Sequence, residues 1–111
     1  MFKISVYIPA DQLELVKSAM FDQGAGRLGH YEHCAWQVLG QGQFRPMNQA
    51  KPFLGQQGIV ETVDEYLVEM VCEEKYIKAV INALKKTHPY EEPAFSVVRL
   101  EDAYEEIKTD V

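Results

Sequence analysis

The spacing of apolar residues along this chain switches between two and three-to-four in a fixed order, and that order limits the topologies open to it. Phe2, Ile4, Val6 and Ile8 recur at every second position, with Lys3, Ser5 and Tyr7 between them, as in a strand with one buried face. Pro9 ends that strand. Leu13, Val16, Ala19 and Met20 then share one stripe of a helix reaching to about Gln23. Asp11 is its expected N-cap, with Glu14 at capping-box spacing, and Gly24 its expected left-handed terminator. A second strand is expected over residues 30–39, with Cys34, Trp36 and Val38 on one face and Tyr31, His33, Ala35 and Gln37 on the other. A third covers residues 61–72, where Tyr66, Val68, Met70 and Cys72 alternate with Leu67 and Val71. Ile77, Val80, Ile81 and Leu84 make the stripe of a second helix over residues 73–87. Glu73 and Glu74 at its start and Lys85 and Lys86 at its end suit the helix dipole. Pro89 stops it. Residues 94–100 form the last strand, with Phe95 and Val97 on one face and Ala94, Val98 and Leu100 on the other.

Strand, helix, strand, strand, helix, strand is the α+β, ferredoxin-like βαββαβ sandwich: an antiparallel sheet with two helices on one face. Residues 1–100 are read as this single domain and residues 101–111 as an acidic tail. One helix layer covers only one side of the sheet, yet the third and fourth strands carry apolar residues on both sides. The uncovered side predicts a homo-oligomer. Residues 40–60 are too long for a plain turn. Their Phe44, Phe53, Leu54 and Ile59 predict a small hairpin or an arm onto a neighbouring subunit.

Charge and cysteine usage exclude several classes. The net charge is −6, and the tail supplies −4 of it, with five acids against Lys108. No basic surface exists to release counterions from nucleic acid. No apolar run nears the roughly 18 residues that span a membrane. The first residues alternate instead of forming a signal peptide, and Cys34 and Cys72 read as reduced thiols, so the cytoplasm is the expected compartment.

The glycine-rich Gly24-Ala25-Gly26-Arg27-Leu28-Gly29 follows a helix and precedes a strand. A dinucleotide fingerprint needs the reverse order, so this segment reads as a turn. His30, His33, Cys34 and His88 are zinc- or copper-type ligands. In an extended strand, however, His33 and Cys34 point to opposite faces, and His30 lies roughly 13 Å from Cys34. A divalent metal therefore needs His33 with His88, or ligands from several subunits. Glu91 and Glu92 are adjacent and have no nucleophile spaced near them, which disfavours an acid/base pair. In the segment His88-Pro89-Tyr90-Glu91-Glu92-Pro93 the two prolines bracket a rigid turn. The sharper reading is a ligand cleft between subunits lined by Tyr31, His33, His88, Tyr90 and Glu91.

Several motifs, taken together, resemble the insert domain of YqfO-type proteins in the Nif-three-like family. They are Gly24-Ala25-Gly26, then Gly29-His30-Tyr31-Glu32-His33-Cys34-Ala35-Trp36, then Gly40-Gln41-Gly42-Gln43-Phe44-Arg45-Pro46. Pro52-Phe53-Leu54-Gly55, Gly58-Ile59-Val60-Glu61 and His88-Pro89-Tyr90-Glu91-Glu92-Pro93-Ala94 complete the series. The last is also similar to the His-Pro-Tyr-Glu run of the CutA family. Both resemblances imply a trimer-forming ferredoxin-like subunit related in shape to PII signal proteins. Met47-Asn48-Gln49 departs from the insert motif, which usually carries a glycine there. The metal ligands of longer Nif-three-like proteins have no counterpart in this chain, which reads as the module standing alone. The expectation is a non-catalytic oligomer that binds, senses or interacts with a small molecule or a protein. The alternatives are a divalent-metal-binding or metal-tolerance protein like CutA, and a detached subunit of a metal-dependent hydrolase.

Overall fold

The computed structural model describes residues 1–101. β1 is Phe2–Pro9, α1 is Leu13–Asp22, β2 is Trp36–Phe44, β3 is Glu61–Cys72, α2 is Ile77–Thr87 and β4 is Phe95–Arg99. The strands form one antiparallel sheet in the order β2-β3-β1-β4. This is the ferredoxin-like βαββαβ arrangement expected from the sequence. The two longest-range pairings, β1 with β3 and β1 with β4, place the N-terminal strand at the centre. No described helix is long and apolar enough to cross a membrane. The acidic tail expected beyond residue 101 lies outside the described residues.

The core lies between the sheet and the helices. Ile4, Val6 and Ile8 of β1 meet Val68, Met70 and Cys72 of β3, under Leu13, Val16 and Met20 of α1 and Val80 and Leu84 of α2. Each such buried side chain contributes roughly 1.5–3 kcal/mol relative to exposure. Cys72 packs here as a small hydrophobe, and burial, aided by the neighbouring Glu73, pushes its thiol pKa up. Both cysteines are free thiols. The opposite side of the sheet is bare. Trp36 and Val38 pair with Glu69 and Leu67, and Tyr7 also pairs with Leu67, so all face away from the helices. Trp36, Val38, Tyr7 and Val98 are 59%, 45%, 45% and 50% exposed.

Three local expectations need correction. Asp11 caps nothing: residues Ala10–Gln12 form a single 3₁₀ turn, and Gln12 precedes α1 without a side-chain cap. The second helix likewise begins with a 3₁₀ turn, Glu74–Tyr76. Most important, β2 does not start at residue 30. Leu28 and Tyr31 close a tight reverse turn through mutual backbone hydrogen bonds. His33 takes a left-handed φ of 58°, so the strand alternation assumed for His33 and Cys34 does not apply. A long-range clasp directs this path: Gly26 N–H donates to the Val71 carbonyl, and Cys34 N–H donates to the Gly26 carbonyl. Gly24 does terminate the first helix at positive φ, 113°. A Cβ there would run into the Tyr76 ring.

Residues 40–60 are the outer half of a long hairpin. β2 continues through Gly40 and Gly42 to Phe44, in register with β3 back to Glu61. The 45–60 tip is folded on itself, with Gly58 N–H donating to the Pro46 carbonyl and Ala50 N–H to that of Met47. Of the two expected forms the hairpin is the one present, and this arm is an extension of the sheet. It makes the molecule long, 56 × 23 × 22 Å.

Candidate functional site

Where α2 ends, His88 leaves helical geometry at ψ 132°, as Pro89 requires. Its ring turns inward and is 5% exposed, the only buried polar or charged residue among those described. Nε2 lies 2.7 Å from the Tyr7 carbonyl oxygen, and Nδ1 accepts the Tyr90 N–H at 3.2 Å. A carbonyl can only accept, so Nε2 carries the proton and the imidazole is neutral. Burial holds its pKa below the ordinary 6.5, against smaller upward pulls from the Tyr7 carbonyl and Glu65. Both ring nitrogens are thus occupied in locking the 88–94 turn to the end of β1.

The turn presents Tyr90 to the arm. Its ring lies 5.0 Å from His88, 5.8 Å from Phe44 and 6.4 Å from Phe53 between centroids, in tilted arrangements. Glu91 reaches across to the arm, where its Oε1 accepts the Lys51 N–H at 3.0 Å. Between arm and turn opens a cleft of about 520 Å³. Phe44, Pro46, Pro52, Phe53 and Leu54 supply its apolar wall; Glu65, Tyr90 and Glu91 are among its polar groups, with Arg45, Glu92 and the side-chain amides of the arm.

Glu65 belongs to β3 and pairs with Gly40 of β2. Its side chain lies across Gly42, in space that a Cβ at Gly42 would occupy. Its carboxylate comes up to the Tyr90 hydroxyl, which is buried and has no hydrogen-bond partner of good geometry. Burial first, and the Glu65 carboxylate second, push the phenol pKa well above its ordinary 10.

Of the five residues expected to line a site, Tyr90 and Glu91 line this cleft, and His88 sits behind Tyr90 and positions it. Tyr31 and His33 do not join them within one chain. Tyr31 is 75% exposed in its reverse turn. The His33 ring stacks on Phe21, with centroids 4.8 Å apart and an interplanar angle of 10°. Among the described residues no three His, Cys, Asp or Glu side chains gather as a metal site. Sequence reasoning missed Glu65, Phe44 and Phe53 as site residues. The signal was present in Gly40-Gln41-Gly42: two glycines within one strand mark a close approach by another group.

A ferredoxin-like subunit with an extended β2–β3 arm and a His-Pro-Tyr-Glu turn defines a recognisable class, and its relatives can be named. A Bacillus subtilis protein called GTP cyclohydrolase 1 type 2 homolog is 44% identical over 99 residues, covering 89% of this chain and 26% of the relative. The Mycobacterium tuberculosis protein of the same name is 43% identical over 95 residues, covering 86% of this chain and 25% of the relative. A solved Bacillus cereus protein related to NIF3 superposes with a TM-score of 0.77 at 34% identity, covering 91% of this chain and 26% of that one. CutA from Pyrococcus horikoshii superposes at 0.67 with 17% identity, covering 98% and 93%, a likeness of fold alone. No protein-family model matches the chain. The chain is related to the Nif-three-like family and spans about a quarter of the length of the curated relatives it matches.

Proposed function

We propose that this chain is a non-catalytic, homo-oligomeric binding module that takes a small ligand in the cleft between the arm and the 88–94 turn. The observation that carries this reading is the cleft itself. It is apolar-walled, about 520 Å³ in volume, and has a few convergent polar groups on a turn fixed by His88. Tyr90 and Glu91 are its contact residues, and His88 holds them in place. A contribution from Tyr31 or His33 needs a second copy of the chain.

The bare side of the sheet supports assembly. Tyr7, Trp36, Val38 and Val98 are exposed on one surface, with Leu67 half-buried among them. A second copy of the chain is the partner this surface suits, and we take the trimer implied by the family resemblance as its order. The unbridged Cys34 and Cys72 support a cytoplasmic setting. Metal tolerance of the CutA kind requires ligands from more than one copy. A part in a hydrolase, which the relatives' name would favour, requires groups outside the matched segment.

The test is a thermal-shift panel of nucleotides and metabolites on the wild type and on Phe53→Ser. Phe53 is 52% exposed, so its loss spares the core. Expected is at least one compound that raises Tm in the wild type and fails to do so in the variant. A panel without effect, or one that stabilises both proteins equally, overturns the cleft as a binding site.

A further inference from the structure

The chemistry of the cleft narrows what it takes. Phe44 and Phe53 both tilt against the Tyr90 ring, so three aromatic rings border the cleft. An aromatic face is electrostatically negative and attracts cations. Three carboxylates, on Glu65, Glu91 and Glu92, line the same space against a single cation, Arg45. None of the three is tied up in an ion pair among the described residues. Glu91 accepts one backbone N–H through Oε1, leaving Oε2. The Tyr90 hydroxyl, buried beside Glu65 with no hydrogen bond of good geometry, turns its proton towards that carboxylate and leaves its oxygen lone pairs to accept. Gln43, Asn48 and Gln49 add neutral amides that both donate and accept. The charge balance of the lining, three carboxylates against one guanidinium, is therefore negative, which disfavours phosphates and carboxylates.

We propose that the cleft binds a small organic cation, an ammonium or guanidinium group carried on an apolar body. The head lies against Tyr90 and the Glu65 and Glu91 carboxylates, and the body lies along Phe44 and Phe53. This rests on the cleft's being a binding site, as argued above, and adds its charge preference. Glu65 is the selecting residue. It alone of the three carboxylates is half-buried, where its charge is least screened by water, and Gly42 leaves the room in which it lies.

The experiment uses three matched probes on the full chain: phenethylammonium, phenethyl alcohol and hydrocinnamate. They share a phenyl body and differ in charge. Backbone amide shifts of residues 44–54 and 90–94 are followed by heteronuclear NMR during titration. The proposal expects phenethylammonium to bind tightest, hydrocinnamate weakest, and Glu65→Gln to weaken the cation by about tenfold with little change for the alcohol. A Glu92→Gln variant, altering an exposed carboxylate, is expected to have a smaller effect, and the retained response of Glu65→Gln to the alcohol shows that its cleft is still folded. If all three probes shift the cleft amides equally, or the anion binds best, the cation preference is overturned while the cleft stands as a site. If none of the three shifts those amides, both readings fall.

Discussion

The imidazole Nε2 of His88 lies 2.7 Å from the backbone carbonyl of Tyr7, joining the end of one helix to the end of the central strand across 81 positions of sequence. This contact turns the His-Pro-Tyr-Glu run from a set of reactive-looking side chains into a joint. The histidine is spent on structure, and Tyr90 and Glu91 are presented as a consequence.

A pH dependence follows from that burial. The folded pKa of His88 is lowered, so below the ordinary 6.5 the unfolded chain takes up a proton that the native state refuses. Stability is therefore fully present above that value and is lost as pH drops through it. Urea midpoints measured from about pH 7.5 to about pH 5 should decline more steeply for wild type than for His88→Gln. Equal slopes would show that His88 is not held neutral.

Two backbone positions make opposite predictions. Gly24→Ala places a Cβ at positive φ against the Tyr76 ring and should cost about 2–3 kcal/mol. Gln49 already stands at φ 75°, at the arm tip, in the left-handed region that favours glycine. Gln49→Gly should therefore gain about 0.5–1 kcal/mol. Denaturant unfolding of both variants checks the pair, and a destabilised Gln49→Gly would contradict the geometry of the tip.

Glu91 is expected to hold the arm against the turn through the Lys51 N–H. Glu91→Ala should leave global stability within about 1 kcal/mol while the Lys51 amide loses its protection. Residue-resolved hydrogen exchange reads this directly. Unchanged exchange at Lys51 would mean that the arm is held by its aromatic contacts alone.

The open sheet face gives a solution prediction. Val38, 45% exposed opposite the helices, should lie inside the assembly, whereas Leu15, 57% exposed on α1, should lie outside it. Val38→Asp should reduce the mass found by light scattering towards the 12.7 kDa of one chain, and Leu15→Asp should not. A wild type that is already a monomer would remove the face as an interface.

The elements were legible in the sequence where one periodicity ran unbroken. Ile4, Val6 and Ile8, or Val68, Met70 and Cys72, can be buried together in only one way, and the order of such runs selects the topology. The start of β2 was not legible. Its path is set by Gly26 bonding to Val71, a residue distant in sequence, and by a left-handed His33 with no local signature. The extent of β2 was hidden too, because Gly40 and Gly42 favour a loop reading, and the close approach they signal is explained only by the Glu65 side chain lying across Gly42. The role of His88 depended on the Tyr7 carbonyl, a partner that no side-chain motif announces.

The binding account is tested most directly by a crystal structure of the protein with the compound that stabilises it most in the thermal-shift panel. The expected result is ligand density between arm and turn, against Phe44, Phe53 and Tyr90, with Glu65 at the head group. Density for the compound elsewhere, or a cleft filled by side chains of a neighbouring copy, would contradict it.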